Sequence, residues 1–184
     1  MSIQLQNKSL ILDKWLFWSD RASGKTWLMS NIANELSRAG YKVTYVSGSE
    51  EPLKLESGIT HLLCSSEDNS NYAISVLNER AKSGSIDFLI IDDFELTGFR
   101  TIVTFAIPCN ILTCVSHSGS SQSISEKIPI SILGNNHNML EIMSEGKINY
   151  KDFTFRQTFN SNKTINYGDI INKYIRDKKI EQLI

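Results

Sequence analysis

The apolar positions of this chain fall into short blocks, and the period changes from one block to the next. Trp15-Leu16-Phe17-Trp18 is a continuous apolar and aromatic run, which predicts a buried strand. Downstream, Leu28, Ile32, Leu36 and Ala39 lie on one helical stripe, and Gly40 follows as a stop signal. Residues 42–47, Lys-Val-Thr-Tyr-Val-Ser, alternate and are β-branched, so they predict a second strand. The stretch 48–70 is polar and reads as a loop with a short apolar piece at 59–64. Ala73, Val76, Leu77 and Arg80 return to helical spacing and predict a helix over 72–82. Phe88-Leu89-Ile90-Ile91 shows no alternation, as expected of a strand buried on both faces of a parallel sheet.

After a short helical stretch at 99–105 and a strand at 110–116, the Ser/Gly-rich run 118–125 reads as a mobile loop. The style then changes. Residues 138–143 and 149–159 predict two strands around Ser144-Glu145-Gly146-Lys147, an antiparallel hairpin. Residues 167–184 carry Ile170, Ile171, Tyr174 and Ile175 with Arg176, Lys178 and Lys179, a terminal amphipathic helix. Strands alternating with helices predict an α/β fold: a mainly parallel sheet flanked by helices and closed by the antiparallel extension. No repeat or linker divides the chain, so residues 1–184 are expected to form one domain with its core in 14–160.

Composition narrows the classes. With 184 residues and 41% hydrophobic content the chain can build a full core. Its net charge of −1 carries no basic signature for nucleic acid, so DNA binding would need a local patch or an assembled ring. No run reaches the length of a membrane span and Met1-Ser2-Ile3-Gln4-Leu5 lacks a secretory pattern, which together with three cysteines, an odd number, predicts a cytoplasmic protein. Cys109, Cys114 and His117 are close in sequence but fall on or beside a predicted strand without a second ligand pair, so the thiols read as buried core groups.

Two motifs carry chemistry. The run Ser19-Asp20-Arg21-Ala22-Ser23-Gly24-Lys25-Thr26 lies between the first strand and the first helix. It matches the phosphate-cradling pattern Gly-x-x-x-x-Gly-Lys-Ser/Thr except that Ser19 stands at the first glycine. In such a loop, backbone N–H groups around Ser23 to Thr26 converge on an anion, Lys25 neutralises the β/γ-phosphates and the Thr26 hydroxyl joins a Mg²⁺ shell. The second motif is Asp92-Asp93 at the end of the apolar strand. There Asp92 is expected beside the loop, holding Mg²⁺, which favours carboxylates together with phosphate oxygens.

With these motifs, Tyr41-Lys42-Val43-Thr44-Tyr45-Val46-Ser47-Gly48-Ser49-Glu50 resembles the second strand of RecA-like ATPases of the RadA and KaiC type. The resemblance covers roughly residues 14 to 160 and implies a P-loop ATPase using ATP and Mg²⁺. It implies Glu50, or Glu51 beside it, as the carboxylate orienting the attacking water, and His117 as either a γ-phosphate sensor or a strand cap. The hairpin resembles the C-terminal meander of RecA-like motors. Arg156 in Phe155-Arg156-Gln157-Thr158-Phe159 is then the basic residue reaching a neighbour's nucleotide, although Thr158 stands where a second basic residue belongs. A homo-oligomer or partner ATPase complex, acting on DNA or in transport, is what that resemblance implies.

Residues 16–41 together with Phe88 to Asp93 are also similar to AAA+ proteins of the DnaA-related initiator and helicase-loader group, in which Asp93 would support hydrolysis. The strand hairpin stands where that group carries a helical lid, which favours the RecA-like resemblance. A low-turnover nucleotide-binding scaffold subunit is the third functional class the sequence allows.

Overall fold

The computed structural model describes residues 13–49, 54–94, 109–116, 139–158 and 163–183. These form one eight-stranded sheet: β1 Lys14–Ser19, β2 Val43–Ser47, β3 Thr60–Leu63, β4 Phe88–Asp92, β5 Asn110–Ser116, β6 Met139–Met143, β7 Thr154–Gln157 and β8 Thr164–Asn166. The order across the sheet is β3-β2-β4-β5-β1-β6-β7-β8. The pairings from β3 through β6 are parallel, and β7 runs antiparallel to both β6 and β8. Three helices, α1 Lys25–Arg38, α2 Glu67–Lys82 and α3 Tyr167–Glu181, cover its two faces.

Strand alternation sorts the core into two layers. Phe17, Tyr45, Phe88, Ile90, Leu112 and Cys114 point to the face covered by Leu28, Met29, Ile32 and Leu36 of α1 and by Tyr167, Ile170, Ile171 and Tyr174 of α3. Leu16, Trp18, Val46, Leu89, Ile91 and Val115 point to the opposite face, against Ala73 and Leu77 of α2. Every residue of β2 and β4 is buried, which accounts for their nearly unbroken apolar sequences. Each fully buried large side chain contributes about 1.5–3 kcal/mol relative to exposure. The continuous run Phe88–Ile91 therefore anchors the strand that carries Asp92.

Gly40 ends α1 as its position predicts. Its φ of +96° allows a Schellman turn, with Gly40 N–H donating to Ser37 O at 2.9 Å and Tyr41 N–H to Leu36 O at 3.1 Å.

The structure departs from the hydrophobic pattern in four places. The apolar piece at 59–64 is not loop but the edge strand β3, paired with β2. Helix α2 begins at Glu67 rather than at 72, because Ser66 caps it by accepting from Asn69 N–H at 3.2 Å. Its first turn is polar and carries no apolar stripe to signal it. The stretch 149–159 is not one strand: a 3₁₀ turn at Tyr150–Asp152, capped by Asn149 Oδ1 accepting from Lys151 N–H at 3.0 Å, precedes β7. The three-residue strand β8 is too short to read from alternation. The expected helical stretch at 99–105 and loop at 118–125 lie outside the described residues. Among the described residues, no helix is long and apolar enough to cross a membrane.

Candidate functional site

The motif loop joins β1 to α1 at the carboxyl end of the parallel strands. Ser19 is the last residue of β1, paired with Ser116 of β5. Its φ is not positive, so this position needs no glycine, and its Oγ bonds Ser23 Oγ across the base of the loop. The left-handed turns fall instead on Ala22, φ +58°, and Gly24, φ +83°. Gly24 is the N-cap of α1 and no side chain caps that helix. The first N–H groups of a helix have no intrahelical acceptor, and α1 carries no acidic residue in its first turn to answer its positive end.

Lys25 is folded into this loop. Its Nζ donates to Asp20 O at 2.6 Å, to Ser19 O at 3.3 Å and to Ser23 Oγ at 3.3 Å. The residue is 5% exposed, and no ion pair among the described residues includes it. Lysines are almost never fully buried unless paired. Here an ammonium sits among neutral oxygens beside an uncapped helix end, a local excess of positive charge. Asp20 and Arg21 are exposed on the turn, and Thr26 is half-buried in the first turn of α1.

Asp92 closes β4, and β5 lies between it and β1 rather than β1 being its neighbour. Alternation puts Asp92 on the face of Phe88 and Ile90, the face that α1 covers. It is 1% exposed. Oδ2 accepts from the Tyr45 hydroxyl at 2.9 Å, and Oδ1 accepts from Cys114 Sγ at 2.8 Å and from Asp93 N–H at 3.0 Å. Burial, and then the Asp92 charge, push both the Tyr45 hydroxyl and the Cys114 thiol above their ordinary values, so each stays protonated and donating. An ionised carboxylate offers roughly four acceptor positions, so about one remains for a further partner.

Tyr45 and Cys114 are the neighbours of Asp92 that linear reading missed. They come from β2 and β5, and only the sheet order brings them to Asp92. Beside them Ser47, level with Asp92 in the β2–β4 register, bonds His61 Nε2 at 2.7 Å. Asp93 follows with φ +49°.

Of the other sequence candidates, Arg156 bonds Glu141 Oε2 through both Nε and Nη2, across the β6–β7 pair. Glu50, Glu51 and His117 lie outside the described residues. The loop helix is also tied to the C-terminal part of the chain. Phe153 packs over Gly24, Trp27 makes edge contacts with Tyr150 and Phe153, and Glu35 of α1 accepts from the Tyr150 and Tyr167 hydroxyls, each at 2.8 Å. Lys151 Nζ adds an ion pair to Glu35 at 3.1 Å.

No family model matches this chain, and no curated protein matches it. Among solved structures it is similar to the flagellar accessory protein FlaH of Methanocaldococcus jannaschii, at 15% identity and a TM-score of 0.47, over 78% of this chain and 75% of that one.

Proposed function

We propose that this chain binds a nucleoside triphosphate with Mg²⁺ at the loop 19–26, as a RecA-like P-loop protein working in an oligomer or a larger complex. The observation that carries the reading is Lys25: a 5%-exposed ammonium without a carboxylate partner among the described residues, inside a loop that opens on an uncapped helix end. That arrangement matches the charge and donors a polyphosphate requires. Lys25 meets the β/γ-phosphates and the N–H groups around Gly24 hold them. Thr26 and Asp92 would supply the oxygen donors that Mg²⁺ prefers, and the ion would supply charge neutralisation at the phosphates.

ATP hydrolysis, with Glu50 or Glu51 orienting the water, Asp93 as the alternative carboxylate and His117 near the γ-phosphate, is the extension of this reading. DNA recombination, replication or transport is the setting it suggests. A second reading, nucleotide binding with little turnover in a scaffold, has one observation in its favour: Arg156 is engaged by Glu141 within its own sheet.

Calorimetric titration with MgATP tests the core of the proposal. Wild type is expected to bind, and Lys25→Ala to lose at least about tenfold in affinity, or ~1.4 kcal/mol. Wild type that fails to bind any nucleoside triphosphate would sink it. Turnover measured with and without single-stranded DNA then separates ATPase from scaffold.

A further inference from the structure

Asp92 accepts from Tyr45, Cys114 and its own successor Asp93, yet not from Ser47, the residue directly beside it on β2. Level residues of neighbouring strands share a face and stand about 4.7–4.9 Å apart, so a serine hydroxyl there is placed to donate to the carboxylate. The Ser47 hydroxyl turns the other way. It bonds His61 Nε2 at 2.7 Å, its one side-chain hydrogen bond among the described residues. Ser47 is 2% exposed, so its oxygen and the Asp92 carboxylate lie side by side in a dry setting.

His61 comes from the edge strand β3, level with Tyr45, and the two rings meet edge-on with centroids 5.9 Å apart. Partial burial lowers the imidazole below its ordinary value of 6.5, so at neutral pH it is uncharged and carries one accepting nitrogen. With Nε2 as that nitrogen, Ser47 commits its proton toward β3. Its oxygen is then left with lone pairs alone beside Asp92, and a buried acceptor without a donor is costly.

We propose that Ser47, anchored by His61, is an outer-shell group of the Mg²⁺ position, its oxygen accepting from a water that the ion retains; the inference rests on the nucleotide reading above. Mg²⁺ dehydrates reluctantly and usually keeps several waters, whose protons face outward and need acceptors. Outer-shell partners of this kind change metal affinity by about 10–100-fold. His61 acts only through Ser47, by fixing the direction of the hydroxyl proton, and is a positioning residue.

The test is calorimetric titration of ATP at neutral pH over a range of free Mg²⁺, and again in EDTA. Ser47→Ala removes the acceptor. His61→Phe keeps a ring against Tyr45 at an exposed edge position and removes the nitrogen. His61→Gln supplies a side-chain oxygen of similar reach. Ser47→Ala and His61→Phe are each expected to need about tenfold more Mg²⁺ for half-maximal ATP binding, while binding ATP in EDTA as wild type does. His61→Gln is expected to recover most of the loss. An unchanged Mg²⁺ requirement in both Ser47→Ala and His61→Phe overturns the assignment and leaves the loop reading intact. Equal weakening with Mg²⁺ and in EDTA overturns it too, because the change would then act through the loop or the fold. Wild type that binds ATP under neither condition defeats the loop reading and this inference with it.

Discussion

The Tyr45 hydroxyl donates to Asp92 Oδ2 at 2.9 Å across the β2–β4 boundary. Tyr45 is level with Ile90 in the register, so its ring reaches diagonally along the sheet to the carboxylate at the strand end. With Cys114 donating from the other side, the carboxylate is fixed in a dry environment by groups that both remain protonated. Removing the hydroxyl leaves a buried charge short of one donor. Tyr45→Phe is therefore expected to destabilise the fold by about 1–3 kcal/mol, measured by urea denaturation. A midpoint unchanged from wild type would show that the bond contributes nothing.

The loop's two left-handed residues should respond in opposite directions. At Ala22, φ +58°, a Cβ is held where L-residues lose about 1–2 kcal/mol, so Ala22→Gly relieves strain. Glycine's extra unfolded-state entropy offsets part of that gain, leaving a change from neutral to about 1 kcal/mol stabilising. Gly24→Ala introduces the same strain at φ +83° and should cost about 1–2 kcal/mol. Parallel thermal melts of the two variants check the opposed signs.

Glu35 links stability to pH. Burial works to raise its carboxyl, but hydrogen bonds from Tyr150 and Tyr167 and the Lys151 ammonium together hold it below its ordinary value of 4.5. A carboxyl whose folded value is depressed binds fewer protons folded than unfolded. Its contribution is thus present above the unfolded value and is lost as pH falls through the folded one. Glu35→Gln should destabilise the protein by about 1–3 kcal/mol at neutral pH, and by less as pH drops below about 4.5. Denaturation midpoints between pH 7 and pH 3 provide the measurement; a mutant-to-wild-type difference that stays constant across that range would contradict the linkage.

Cys64, Cys109 and Cys114 are all buried, and burial raises the Cys64 thiol to about 11 and Cys109 to about 12. Thiolate is the reactive form. At pH 8 the native protein should label with a thiol reagent only at the rate of its opening, whereas urea-unfolded protein labels all three at once. Fast native labelling at any of the three would contradict the packing.

Local sequence was enough to define the strand–loop–helix around Lys25, the two-face burial of Phe88–Ile91 and the stop at Gly40. Each rests on neighbours a few residues apart, where period and backbone freedom are visible in the chain. It did not reveal β3, β8 or the polar first turn of α2, whose residues carry too little periodic signal to stand out. Tertiary structure alone decided that β5 stands between the loop strand and Asp92. It also decided that Tyr45 and Cys114 hold that carboxylate, that Glu141 takes up Arg156, and that Phe153 roofs Gly24. Those relationships join residues far apart in the chain, and sheet order and strand register, which linear spacing does not encode, bring them together. The loop motif therefore could be read before folding, while the setting of Asp92 could not.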